Sequence, residues 1–107
     1  MNATEYFVRV PVSVLMNKQL TRSSVLLYAI LIDYADRFGV IVATIDQLAA
    51  RTRLSAATVR RSERQLVDAG LLNVERTGRA SLLRLTAEGV RIQTYSAVEQ
   101  YRKAVAE

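Results

Sequence analysis

Residues 44–72 read TIDQLAARTRLSAATVRRSERQLVDAGLL, and this stretch decides the fold. It divides into two short helices joined by a tight turn. Thr44 is placed to cap the first helix. Gln47, three residues on, completes a capping box in which each side chain satisfies an orphan backbone N–H. Ile45, Leu48 and Ala49 then form an apolar stripe. Arg51, Thr52 and Arg53 make the turn, and Leu54 anchors it in the core. Ser55 stands just before the next apolar-periodic run, where an N-cap belongs. The second helix is expected from Ala56 to about Ala69, with Gly70 as the left-handed residue that follows it.

A rotation of about 100° per residue sorts this second helix into two faces. Val59, Ser62, Leu66 and Ala69 fall on the core side, and Ala57, Arg60, Arg61 and Arg64 fall opposite. Reading a major groove requires a helix with arginines opposite its packing face, entered through a capped turn. The helix fits the groove, and guanidinium forks pair with guanine edges or phosphates. A charge run more often means only a solvated face. Here the capped turn beside it favours DNA.

The charge distribution points the same way. The chain carries a net charge of +5 over 107 residues. Arginines 51, 53, 60, 61, 64, 76, 79 and 84 stand against Glu63, Asp68 and Glu75, so residues 51–84 alone sum to +5. A localised positive field favours nucleic acid or another polyanion. Half of the residues are hydrophobic, which argues against disorder and suits one domain with a modest core. Cysteine and histidine are both absent. That excludes disulfides, Cys/His zinc sites and any nucleophilic mechanism needing either residue. No spacing of the acids and hydroxyls assembles a metal site, a phosphate loop or a nucleophile with its base, so no catalytic residue, cofactor or metal is expected. MNATEYF lacks the basic head and apolar run of a secretory signal, and no stretch has the length of a membrane span. The expected location is the cytoplasm.

Around the central stretch the chain reads as one domain, 1–107, with no repeat or linker. Tyr6 to Val10 alternates and suits a strand or an extended arm, which Pro11 interrupts. Ser13 to Leu20 suits a short helical turn placing Val14, Leu15 and Leu20 on the core. Thr21 caps a helix expected over residues 22–38, where Leu27, Leu31, Tyr34, Ala35 and Phe38 recur at helical spacing. Tyr28 and Tyr34 read as core rather than as a stacking platform. Gly39 ends that helix, and Val40 to Val42 is a short β-branched strand. After Gly70, residues 71–76 and 81–85 form a hairpin with Gly78 at its tip and arginines beside it. Thr86 caps a last helix, 87–106. Thr94, Val98, Tyr101 and Val105 form a narrow seam along it, broadened by Val90, Tyr95 and Ala104. That seam suits a homodimer interface; the alternative is a helix folded back against Leu27 and Leu31.

Helix, strand, helix, turn, helix, hairpin is the order of a winged helix-turn-helix domain, and TIDQLAARTRLSAATVRRSERQLVDAGLL resembles that superfamily's recurrent pattern. Upstream, VPVSVLMNKQLTRSSVLLYAILIDYA resembles the lead-in of such domains in plasmid and phage replication proteins and bacterial regulators. The resemblance spans about residues 8–86. The tail is similar to those of small dimeric MarR-like and PadR-like repressors and plasmid centromere-binding proteins. The fold so implied is mainly α with a small β-hairpin: a winged helix-turn-helix with an extra C-terminal helix.

By that resemblance, Ser55, Ala56, Ala57, Thr58, Arg60, Arg61 and Arg64 lie at or near the major groove, and Thr44 offers its N–H or hydroxyl to a phosphate; Arg53, in the turn, is a further DNA-binding candidate. Arg76 and Arg79 lie on the wing, over the backbone or in the minor groove. Each of these also has a purely structural reading, such as Ser55 as an N-cap only and Arg76 as a surface partner of Glu75 or Asp68. The implied partner is double-stranded DNA, bound as a homodimer through Val90, Thr94, Tyr95, Val98, Tyr101 and Val105. Transcriptional regulation, plasmid or phage replication and DNA segregation all use this module, and some winged helices bind only protein.

Overall fold

The computed structural model describes residues 7–86. Within them the chain runs α1 (Val12–Leu15), α2 (Arg22–Tyr34), β1 (Val40–Thr44), α3 (Ile45–Thr52), α4 (Ala56–Asp68), β2 (Leu72–Thr77) and β3 (Ala80–Leu85). This is a winged helix-turn-helix arrangement. The expected C-terminal helix lies outside the described residues.

Three of the four expected caps form, and the helix of the fourth, Thr86, lies outside the described residues. Thr21, Thr44 and Ser55 each accept a hydrogen bond from the backbone N–H three residues on, which starts α2, α3 and α4 where the sequence places them. At the other end of α4, Gly70 takes φ 76°. Its N–H reaches Val67 O at 2.9 Å, and the Leu71 N–H reaches Leu66 O at 3.0 Å. This pair of bonds is the Schellman ending, which needs a left-handed residue.

The hairpin closes through Gly78 and Arg79, with Thr77 opposite Ala80. Gly78 has φ 68°, as a two-residue turn with glycine in its first position uses. β3 also pairs antiparallel with β1, giving a three-stranded sheet of order β1-β3-β2. Side chains alternate across it. Ile41, Ala43, Leu72, Leu83 and Leu85 are buried toward the helices, while Val42 and Arg84 face out. They join Leu27, Tyr28, Leu31, Leu48, Val59 and Leu66 in a single core.

Two helices are held by polar contacts as well. Gln65 of α4 accepts hydrogen bonds at Oε1 from the Thr21 N–H and Thr21 Oγ1, both at 3.1 Å, and from Ser24 Oγ. Ser24 is fully buried, so this clasp satisfies a hydroxyl that has no access to water while fixing α4 against the start of α2.

Several expectations need correction. α2 ends at Tyr34, four residues early. The Asp36 carboxylate accepts the N–H groups of Phe38 (2.8 Å) and Val40 (3.0 Å), offering the backbone a turn in place of another helical turn. Phe38 is therefore 67% exposed and Tyr34 42%, so neither belongs to the core, whereas Tyr28 does. Phe7 to Val10 form no strand, which removes one of the two readings of that run and leaves the extended arm. α1 is a single turn with Val14 buried, while Leu15 is exposed.

Leu48 sits at the junction of these layers with no exposed surface. Leu48→Ala should cost about 3 kcal/mol by lost burial and a residual cavity. Urea unfolding would show it as a lower midpoint with an unchanged slope.

Candidate nucleic-acid interface

The candidate interface begins at the turn into α4. Arg53 adopts φ 62°, ψ 23°, the left-handed region. Glycine or asparagine would hold that backbone with less strain. An arginine here keeps an exposed cation at the tip of the turn, beside the N-terminus of α4. Thr52 supports it from below, its buried hydroxyl donating to Leu48 O at 2.7 Å.

Ser55 Oγ accepts the Thr58 N–H at 3.1 Å and donates to Thr58 Oγ1 at 2.9 Å, so both hydroxyls first serve the helix start. Thr44 Oγ1 accepts the Gln47 N–H at 3.0 Å, and Gln47 Oε1 accepts the Thr44 N–H at 2.9 Å. The capping box thus occupies the Thr44 N–H, leaving the hydroxyl proton as its free donor. Ala56 is half-buried against the core. Ala57, Arg60, Arg61 and Arg64 are exposed along the outer face of α4.

The wing contributes Arg79 in the tip and Arg76 on β2, both exposed. Arg76 does not pair with Glu75 or Asp68. Its Nη2 donates to Glu63 Oε2 and its Nη1 to Ser81 Oγ, each at 3.5 Å. Glu63 is the feature that charge counting misses. It lies on α4, only 2% exposed, and its Oε1 has no hydrogen-bond partner. Burial pushes its carboxyl above the usual range, opposed by the positive charges of Arg76 and then Arg60. The spacing carries the signal: 59, 62, 63 and 66 follow i, i+3, i+4, i+7, so Glu63 belongs to the buried stripe.

Arg51, counted in the basic segment, is drawn elsewhere. It pairs with Asp33 at 3.2 Å and lies over the Tyr34 ring at 5.6 Å, which gives exposed Tyr34 a partner. Among the described residues no group of three His, Cys, Asp or Glu comes together to hold a metal. No helix among them is long and apolar enough to cross a membrane. The residues of the proposed dimer seam, 90–105, lie outside the described residues.

A capped helix-turn-helix, an outward arginine face on its second helix and a β-hairpin against that helix define a winged helix-turn-helix domain, a DNA-binding class. Residues 18–72 match the family described as helix-turn-helix domain, and the chain belongs to that family. Solved structures share the fold. The N-terminal domain of a DNA binding protein superposes with TM-score 0.59 at 20% identity, over 90% of this chain and 88% of that one. A possible transcriptional regulator from Methanosarcina mazei gives 0.54 at 17%, over 81% and 74%. A protein of the thermoacidophilic archaeon Sulfolobus tokodaii gives 0.53 at 19%, over 79% and 83%. No curated protein matches the sequence.

The left-handed Arg53 separates backbone from charge. Arg53→Gly should leave stability unchanged or raise it by up to about 1 kcal/mol, since relief of the strained φ outweighs the added freedom of the unfolded chain. The same variant should bind duplex more weakly. Thermal melts and fluorescence anisotropy check the two halves; a clear loss of stability would contradict the strain.

Proposed function

We propose that this chain is a double-stranded DNA-binding protein that acts as a sequence-specific transcriptional regulator and binds as a homodimer. The observation that carries the reading is a convergence of cations. Arg76 of the wing reaches Glu63 of α4, the helix whose exposed face carries Arg60, Arg61 and Arg64, so the wing cation lies against the arginine-bearing helix. Arg53 adds a cation at the turn and Arg79 another at the wing tip. In this reading α4 enters the major groove. Arg60, Arg61 and Arg64 take guanine edges or phosphates, while Ala57 offers at most a methyl contact to thymine. Ser55, Thr58 and the Thr44 hydroxyl stand at the phosphates, and the wing arginines lie over the backbone or minor groove.

Selection of bound sequences from a random duplex pool tests the reading: a recovered motif is expected, and no enrichment contradicts it. Salt dependence separates it from a winged helix that binds only protein, which would show no duplex affinity at low salt. Arg60→Ala or Arg61→Ala should cost about 1–3 kcal/mol, with relaxed specificity where a base contact is lost. Arg79→Ala should lower the slope of log affinity against log salt by about one contact.

The dimer rests on the seam Val90, Thr94, Tyr95, Val98, Tyr101 and Val105, and on exposed Phe7, Val12, Leu15 and Met16, apolar surface that a second copy would cover. Two α4 helices about one helical turn apart would select an inverted repeat. Light scattering should give twice the 12.0 kDa chain mass, and Val98→Glu with Tyr101→Glu should halve it and weaken DNA binding. A wild-type mass of one chain would contradict the dimer.

A further inference from the structure

We infer that Glu63 is a positioning residue for DNA binding: its buried carboxylate, together with Ser81, holds Arg76 of the wing in a fixed orientation beside the recognition helix. The inference rests on the DNA-binding reading above and adds to it a negatively charged residue that strengthens attachment to a polyanion.

Two long contacts place the Arg76 guanidinium between α4 and β3. A guanidinium has five N–H donors. Arg76 spends one from Nη2 on Glu63 Oε2 and one from Nη1 on Ser81 Oγ, each at 3.5 Å. Three N–H bonds remain, and the Arg76 side chain is 59% exposed, so the group is tethered from inside and open to a phosphate from outside. Glu63 and Ser81 are each 2% exposed. Only Glu63 ties Arg76 to something outside the wing, since it is set in α4; Ser81 sits on β3, the paired strand of the same hairpin, and fixes the guanidinium within the wing. An untethered arginine on a hairpin would have to be ordered on binding, and pre-orientation removes that cost.

A purely structural role for Glu63 is disfavoured by its own surroundings. Its side chain is 3% exposed and Oε1 has no partner, so the fold carries an incompletely compensated carboxylate. The charges that face it are Arg76 from β2 and Arg60 from α4, and burial raises its pKa despite both. A carboxyl whose folded pKa is raised binds its proton more readily folded than unfolded. Its contribution to stability is therefore full below the unfolded pKa and is lost as pH rises through the raised folded value. Wherever Glu63 is charged, it costs stability relative to its protonated form. Glu63→Gln keeps the volume and leaves behind only Arg76, which water can solvate. That variant should melt higher than wild type at pH values above the Glu63 titration, with the gain shrinking as pH falls through it.

For DNA binding the expected direction is the opposite. Simple charge repulsion predicts that Glu63→Gln binds duplex more tightly. Positioning predicts that it binds about three- to ten-fold more weakly, the loss of one charge-assisted contact. The test is a double-mutant cycle on the full chain with the selected duplex: Glu63→Gln should weaken binding in the wild-type background and change little in the Arg76→Ala background. Ser81→Ala, a small change at a buried site, should weaken binding about two-fold with the same dependence on Arg76, and it decides the matter if Glu63→Gln does not fold. Equal or tighter binding by Glu63→Gln, the same effect in both backgrounds, or stability and affinity lost together would each overturn the inference. Wild-type protein that binds no duplex at low salt would instead end the DNA-binding reading itself, a result obtained before any variant is made.

Discussion

Val59 and Leu66 of α4 are wholly withdrawn from water, in one core with Leu27, Leu31, Leu48 and Leu72. Burying each is worth roughly 1.5–3 kcal/mol. Turning α4 about its axis would return both to solvent, so the helix has one permitted rotation. That rotation puts Arg60, Arg61 and Arg64 outside. The arginine face is thus fixed by the apolar residues opposite it, and the three N-caps fix where along the chain each helix begins.

Local rules are broken in two places, one at the basic surface and one buried beneath it. Arg53 sits in a left-handed backbone that glycine would hold with less strain, and Glu63 is a carboxylate where the stripe calls for an aliphatic side chain. Departures from self-consistent folding chemistry tend to collect where a protein binds something. By contrast, the polar clasp of Gln65 on Thr21 and Ser24 obeys the rules: every buried group in it finds a partner, and it serves only to seat α4 on α2.

Features set by neighbouring residues were legible in the sequence. The Thr44–Gln47 box, the Ser55 cap, the Gly70 ending and the Gly78 tip depend on spacings of a few residues, and the outward set Ala57, Arg60, Arg61, Arg64 follows from helical period alone. What was not legible depends on distant partners. Nothing local shows that β1 pairs with β3, or that Arg51 is taken by Asp33 and Tyr34. Phe38 continued the apolar period of α2, yet Asp36 ends the helix first by capturing two backbone N–H groups. Glu63 was counted as one negative charge in a basic segment. Its burial, and its capture of Arg76, emerge only when the wing is laid against α4.

The most direct test of α4 and the wing as the DNA-binding surface is a residue-by-residue map of where duplex DNA touches the protein. Backbone amide shifts of the labelled chain, followed by NMR during titration with duplex, provide it. The largest changes are expected at residues 53–64 and 76–79, with little change at Asp33, Tyr34 and Val42, which lie around Arg51 of α3. Shifts concentrated on α2 and β1, or none at low salt, would contradict the account.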